Sequence, residues 1–154
     1  MNAHELSQRL AQEGCNALLY AVGPRGAVAD AFCLTQTGAL WNVYYTERGQ
    51  DSPPIFTSHS ESQACDFFFQ HIMSVRHDHC VGVFRDKRNA TALRKSLQGY
   101  GLSSWEDRIH FGGTCDSQFR VFVTGKAIFP AKSIIGQVPV RDEQMRRPAP
   151  ASGH

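Results

Sequence analysis

A cluster of side chains able to bind a metal lies at positions 76 to 80, in the segment RHDHC. Neutral imidazoles and a thiolate are ordinary zinc ligands. The residues VGVF that follow predict a β-strand, and alternation along that strand would send His77 and His79 to one face and Cys80 to the other. Because a catalytic zinc needs three protein ligands and nothing in the spacing selects the rest, we predict no metal site. We expect Cys80 to pack inward and both histidines to stay near water.

The remaining candidates for catalysis are thiols and paired carboxylates. The chain has five cysteines, an odd number without C-x-x-C spacing, which is typical of reduced and mostly buried thiols. None lies in a local hydrolase signature, and neither Gly-rich phosphate-binding motif occurs. Glu106 and Asp107 are adjacent, and adjacent acids normally point apart into water rather than across a cleft. We therefore predict no catalytic residue, no cofactor and no enzymatic activity.

The charge of the chain is unevenly distributed. Residues 1–75 contain three Arg and seven Asp or Glu, a net charge of −4, whereas residues 76–154 contain thirteen Lys or Arg and seven Asp or Glu, a net charge of +6. Such an imbalance bears on partners and encounter rates rather than on the fold.

The N-terminal half predicts one helix followed by strands. Ala3, Leu6 and Leu10 recur at helical spacing over residues 3–13. Three strand-like runs follow, separated by turns that contain glycine: they are CNALLYAV (15–22), ADAFCLTQ (29–36) and LWNVYYTER (40–48). An antiparallel meander is the simplest arrangement of these runs.

The rest of the chain predicts two amphipathic helices and a late strand. One helix spans 61–75, with Ser58 or Ser60 as its N-cap, and the other follows Asp86. FRVFVTG (119–125) predicts a sheet strand. The fold class is therefore α+β, a single domain of residues 1–135 in which an N-terminal helix and both amphipathic helices pack on the meander. Residues 136–154 lose periodicity and gain proline, which indicates a mobile tail.

A small RNA-binding module is the alternative function. The helix at 87–97 carries four cations on its exposed side, and the strand at 119–124 interleaves aromatic residues with Arg120. Against this, the pI of about 8.3 is low for such a domain, and the apolar residues of the strand suit a core equally well. A metal-dependent hydrolase is the third alternative.

Four segments of the chain also occur in a recognisable order: YYTERG (44–49), IFTSHSESQACDFFFQHI (55–72), HCVGVFRDKRNATALRKSLQGYGL (79–102) and FRVFVTGKAI (119–128). This series resembles small immunity proteins of bacterial polymorphic-toxin systems, including those of contact-dependent growth inhibition. Members of that group share a strand ending in a tyrosine-rich E-R-G, a phenylalanine-containing helix with an acidic start, a G-F-type strand, a leucine helix and an R-V-F-V strand. The resemblance spans most of residues 5–130.

The resemblance implies a cytoplasmic, non-enzymatic antitoxin that forms a heterodimer with one cognate toxin domain, often a nuclease, and occludes its active site or its access to substrate. It transfers no catalytic or contact residue. For a basic nuclease, the acidic surplus of the first half would offer a complementary surface. We predict that this toxin-binding surface contains outward carboxylates and aromatic anchors, namely Asp30, Tyr44, Tyr45, Glu47, Asp51 and Glu61.

The E-R-G segment has a second interpretation, in which it serves the fold. Arg48 could pair with Glu47, and Gly49 could only supply a turn. Both interpretations stay open from the sequence. The N-terminus has neither the basic start nor the apolar run of a signal peptide, and no stretch of about 18 apolar residues follows, so we expect a cytoplasmic protein without membrane contacts. For a toxin inhibitor we also expect no direct contact with nucleic acid.

Overall fold

A computed structural model describes residues 1–24, 29–110 and 117–145 of the chain. It contains both helices and mixed sheets, which confirms the α+β class. The contacts of the structure form two compact units, Met1–His77 and Asp78–His154. Within the described ranges, no helix combines the length and the apolar character needed to cross a membrane.

The first unit is a sheet covered by two helices. Its elements in chain order are α1 (Ala3–Gln12), β1 (Tyr20–Val22), β2 (Ala31–Thr37), β3 (Leu40–Glu47), β4 (Gln50–Asp51), β5 (Phe56–Ser58) and α2 (Glu61–Met73). β2 and β3 pair antiparallel along their whole length, and both short strands β4 and β5 pair with the far side of β3. This part of the predicted meander is confirmed.

The pairing of β1 departs from an antiparallel meander, because β1 runs parallel to β2, with Tyr20 opposite Phe32. A tight turn after Val22 would have forced the antiparallel arrangement. Eight residues, 23–30, instead separate the two strands in the sequence, which is more than a tight turn contains.

The core of the first unit forms where both helices meet the sheet. Leu6 and Leu10 of α1 are fully buried with Phe68 and Ile72 of α2, and Leu34 of β2 completes this cluster. The predicted helical periodicity therefore identified the correct faces. Of the two N-caps predicted for α2, Ser60 is the one that the structure shows, since its side chain accepts from the Gln63 backbone N–H. The side chain of Asn2 caps α1 in the same way.

The second unit is a three-stranded antiparallel sheet with helices packed on it. Its elements in chain order are β6 (Asp78–Phe84), α3 (Lys87–Gly99), β7 (Trp105–His110), β8 (Ser117–Thr124), a short 3-10 turn (Gly125–Ala127), α4 (Ile128–Ile135) and α5 (Asp142–Met145). β8 lies between β6 and β7. Val121 and Val123 of β8 are buried with Leu93 and Leu97 of α3, so one face of the predicted F-R-V-F-V strand is core.

A β-bulge in β6 reverses the predicted direction of one side chain. Cys80 pairs with Phe122 and Gly82 pairs with Val121, so one extra residue lies between two consecutive pairs. Strict alternation would have placed Cys80 on the face of Gly82, toward α3. The bulge instead puts Cys80 on the opposite face with Phe122, where it is only half-buried. The expectation that Cys80 packs inward with Gly82 is therefore wrong.

The segment after α4, where the sequence predicts a mobile tail from residue 136, packs on β6 as far as the structure describes it. Val140 pairs with Gly82 in a parallel bridge and is 7% exposed. The Val83 N–H donates to the Val140 carbonyl at 2.9 Å, and the Val140 N–H donates to the Val81 carbonyl at 2.8 Å. The packed part of the chain thus continues to Met145, and residues 146–154 of the predicted tail lie outside the described residues.

The two units carry opposite net charges. Residues 1–77 contain four Arg and seven Asp or Glu, a net charge of −3, and residues 78–154 contain twelve Lys or Arg and seven Asp or Glu, a net charge of +5. The imbalance of the sequence therefore coincides with a structural division.

Candidate protein-binding surface

The E-R-G segment forms the turn of the hairpin between β3 and β4. Arg48 has a φ of 51° and Gly49 a φ of 79°, and Glu47 pairs with Gln50 across them. Two consecutive residues with positive φ are what a type I′ hairpin turn requires, and glycine adopts this conformation without a Cβ penalty. The turn alone therefore explains Gly49, as the second interpretation of E-R-G proposes.

The same turn brings together three of the predicted carboxylates, which we call the acidic tip: Asp30, Glu47 and Asp51. Asp30 Oδ1 accepts a hydrogen bond from the Arg48 backbone N–H at 3.1 Å, which fixes the start of β2 beside the hairpin. Asp51 is opposite Thr46, next to the turn. All three residues are exposed. Asp30, which is distant in the sequence, thus lies beside the two carboxylates of the hairpin, and with the exposed Arg48 of the turn these side chains carry a net charge of −2.

An apolar edge that the sequence analysis missed continues from the acidic tip. β4 and β5 form the border of the sheet, and Pro53, Pro54 and Ile55 between them are all exposed. Ile55 is 47% exposed. Its backbone is held on the sheet, because the Ile55 N–H donates to the Val43 carbonyl at 2.8 Å. The adjacent prolines followed by isoleucine were the available signal, since proline suits a sheet border.

The other predicted contact residues lie elsewhere or serve the fold. Glu61 Oε1 accepts from the Ala3 backbone N–H at 2.9 Å, so this carboxylate caps α1 and does not join the acidic tip. The Tyr45 ring is half-buried, with its centroid 4.9 Å from that of Phe32. Tyr44 is half-buried on the other face of β3, where it pairs with Cys33 of β2. The two tyrosines therefore cannot act together as one anchor.

His77 of the RHDHC segment is buried, with an exposure of 6%, which contradicts the expected position near water. Its Nδ1 accepts from the Asn16 backbone N–H at 3.0 Å, and its Nε2 lies 2.7 Å from the Ile72 carbonyl oxygen. Only the neutral tautomer with its proton on Nε2 satisfies both contacts. The imidazole thus joins the chain after α1 to the end of α2, and both ring nitrogens are already used. His79 is half-buried.

No group of three or more His, Cys, Asp or Glu side chains suited to a metal ion occurs among the residues that the structure describes. Cys15, Cys33 and Cys65 are buried. Burial, with a smaller contribution from the nearby Glu61 carboxylate, raises the pKa of the Cys65 thiol to about 11. Burial also raises the pKa of Cys80 and of Cys15. These thiols are protonated at neutral pH.

Cys65 should resist alkylation in the native protein. With a pKa of about 11, roughly one molecule in a thousand carries the thiolate at pH 8, and the residue has 0% exposure. Peptide mapping by mass spectrometry after brief iodoacetamide treatment should find Cys65 unmodified in native protein and fully modified in denaturant. Rapid native modification would contradict the burial. The folded state also disfavours the thiolate, so stability should fall as the pH rises from about 9 toward 11.

The aromatic platform of the RNA-binding alternative is occupied by contacts within the second unit. The Phe122 ring is 9% exposed and stacks on Trp105 with centroids 4.2 Å apart. Arg120 forms a two-pronged ion pair with Asp107, with 2.9 Å between Nε and Oδ1, and this carboxylate raises the pKa of Arg120. β8 therefore offers no free ring on which a base could stack, whereas the basic side of α3 is exposed.

Comparisons with protein-family models, with curated proteins and with solved structures find no match for this chain.

Proposed function

We propose that the chain is an immunity-type inhibitor that binds a basic toxin domain, of which a nuclease is the leading example, through the acidic tip and the neighbouring apolar edge. The observation that carries the proposal is the convergence of Asp30, Glu47 and Asp51 on one exposed hairpin turn. The family resemblance of the sequence supports the same class. The partner would bind as a protein, and its active site or substrate access would be blocked by contact.

The charge pattern suits rapid recognition of a basic partner. Three carboxylates surround the turn, and they belong to the unit with a net charge of −3. Complementary charges steer encounter and raise the association rate, and salt weakens this effect because the Debye length is about 8 Å at physiological ionic strength. The proposed complex should therefore form more slowly at higher salt.

The apolar edge would supply most of the affinity of the complex, which charges alone do not provide. Desolvated apolar or aromatic side chains near the centre of an interface contribute most of its affinity, whereas charges at the rim mainly set rate and specificity. Ile55, with an exposure of 47%, lies in the chain four residues after Asp51 and projects from the same border of the sheet. We assign it the anchor role that the sequence analysis gave to Tyr44 and Tyr45.

Charge reversal at the tip tests the proposal. The partner to be used is the toxin domain encoded by the neighbouring upstream gene, purified with the chain or mixed with it. Glu47→Lys should slow association about tenfold at low salt, because reversal removes an attraction and adds a repulsion. Ile55→Ala should leave association unchanged and speed dissociation about tenfold, an effect of about 1.4 kcal/mol. Surface plasmon resonance measures both rates.

Asp66→Lys provides the matched control, because Asp66 is also an exposed carboxylate of the first unit but lies on α2. It should change association much less than Glu47→Lys does. Equal slowing by both variants would indicate a net-charge effect and contradict the acidic tip as the contact. Absence of any complex with the upstream-encoded protein would contradict the immunity function itself.

A further inference from the structure

A groove on the second unit runs between α3 and the segment that leads into β7. It encloses about 560 Å³, within the range of small-molecule sites. One wall is the side of α3 that carries Arg94 and Lys95, and the other is residues 101–104 with Glu106 of β7. Most of the lining side chains are polar, with hydroxyls from Thr91, Ser103 and Ser104 and an amide from Gln98. The groove lies in the second unit, whereas the acidic tip belongs to the first.

Arg94 is held rigidly in this groove. Its Nη2 donates to the Ser104 carbonyl at 2.8 Å, its Nε donates to the Ser104 hydroxyl at 3.2 Å, and its Nη1 donates to Glu106 Oε1 at 3.2 Å. A guanidinium has five N–H groups, so about two remain for another acceptor. Its side chain is 39% exposed. A fixed arginine with unused donors loses little conformational entropy when it binds an anionic oxygen.

Glu106 presents an unused acceptor in the same place. Its Oε1 is paired with Arg94, but its Oε2 is buried and has no hydrogen-bond partner among the described residues. A buried carboxylate oxygen is normally hydrogen-bonded, so one without a protein partner can accept from water or from a ligand that displaces the water. A ligand hydroxyl is a suitable donor. Lys95, the next residue of α3, is exposed and adds a cation that has no acidic partner within the described ranges of the chain.

We propose that the α3 groove binds a small polyhydroxylated anion, with its anionic group at Lys95 and Arg94 and a hydroxyl donating to Glu106 Oε2. The combination selects the class. Arg94, Lys95 and Glu106 together carry a net charge of +1, which favours an anionic ligand. The Glu106 oxygen without a partner favours a donor close to that charge, and the hydroxyls and amide of the lining suit further ligand hydroxyls. Sugar phosphates and sugar acids share this chemistry.

The experiment uses glucose 6-phosphate, gluconate, inorganic phosphate and glucose as probes of the full chain by isothermal titration calorimetry and by chemical-shift perturbation. Glucose 6-phosphate or gluconate should bind saturably and at least tenfold more tightly than inorganic phosphate or glucose. Whichever of these two ligands binds more tightly shows whether the site prefers a phosphate or a carboxylate. Lack of saturable binding by both would overturn the proposal, as would binding no tighter than that of inorganic phosphate.

Two variants test separately the residue proposed to bind the anionic group of the ligand and the residue proposed to bind its hydroxyl. Lys95→Gln changes an exposed residue, and it should weaken the binding of glucose 6-phosphate and of inorganic phosphate by about tenfold each. Glu106→Gln should remove most of the preference for glucose 6-phosphate over inorganic phosphate, because the buried acceptor loses its charge. Lys132→Gln is the matched control, since Lys132 is exposed on α4 and does not line the groove. Equal effects of Lys95→Gln and Lys132→Gln would contradict the site.

Discussion

Replacement of Gly82 by alanine should destabilise the second unit by about 2 to 3 kcal/mol, because the core around this residue has no room for a methyl group. A Cβ at Gly82 would lie 2.6 Å from Cε2 of Phe84, 2.9 Å from Cζ of the same ring and 2.7 Å from Cδ2 of Leu93. Phe84 is 1% exposed and Leu93 is 5% exposed, so neither side chain can swing into solvent. Chemical denaturation followed by circular dichroism measures the loss.

Gly99→Ala is the matched control for this prediction. Gly99 is the last residue of α3, and a Cβ there would meet nothing within 4 Å. Alanine also favours a helix over glycine by about 1 kcal/mol, so Gly99→Ala should be neutral or stabilising. A second variant tests the cause directly. Phe84→Leu shortens the clashing side chain, so the double variant Gly82→Ala with Phe84→Leu should be less destabilised than the sum of the two single variants. Full additivity would contradict the steric explanation.

The bulge beside Gly82 shows where prediction from sequence reached its limit. The apolar pattern of VGVF correctly indicated a strand, and Asp86 correctly marked the start of α3, because both depend on neighbouring residues. The bulge depends on how β6 pairs with β8, a contact between residues about forty positions apart. One inserted residue then reverses the face of Cys80. Local alternation cannot reveal this.

β7 and α4 were missed for different physical reasons. WEDRIH, the sequence of β7, is mostly charged or polar and shows little apolar alternation. It forms a strand because Trp105 stacks on Phe122 and Asp107 pairs with Arg120 of the neighbouring strand. α4 has a short, almost continuously apolar sequence, IFPAKSII, with a proline in its first turn, where proline is tolerated. Neither sequence pattern predicts its element, because each of these segments takes its structure from tertiary contacts.

The candidate surface was predictable in part. Exposed carboxylates at Asp30, Glu47 and Asp51 follow from strand ends and turns, whose charged residues are normally solvated. Their convergence requires the hydrogen bond from the Arg48 N–H to Asp30, which the sequence does not reveal. Glu61 looked equally available, but its carboxylate caps α1 across 58 positions of sequence. A carboxylate at a helix start can serve the fold as easily as a partner.

Replacement of His77 by alanine should destabilise the first unit by about 3 kcal/mol, because it removes a buried ring and two hydrogen bonds. The imidazole accepts from the Asn16 N–H at 3.0 Å and lies 2.7 Å from the Ile72 carbonyl oxygen. The Ile72 carbonyl also accepts from the Val75 N–H at 3.1 Å, so the Asn16 N–H is the group that loses its acceptor. Urea denaturation measures the change, and hydrogen exchange at Asn16 should accelerate.

His59→Ala is the matched control, because His59 is exposed and its loss should change stability by less than about 0.5 kcal/mol. His77→Asn should recover part of the loss, since the asparagine side chain can place an acceptor near the position of Nδ1. The same contacts bear on the RHDHC segment as a whole. Zinc binding at His77 would have to break one of the two hydrogen bonds, so added zinc should not raise the melting temperature of the native protein. Stabilisation by zinc that is lost in His77→Ala would show that the ring is a ligand rather than a structural link.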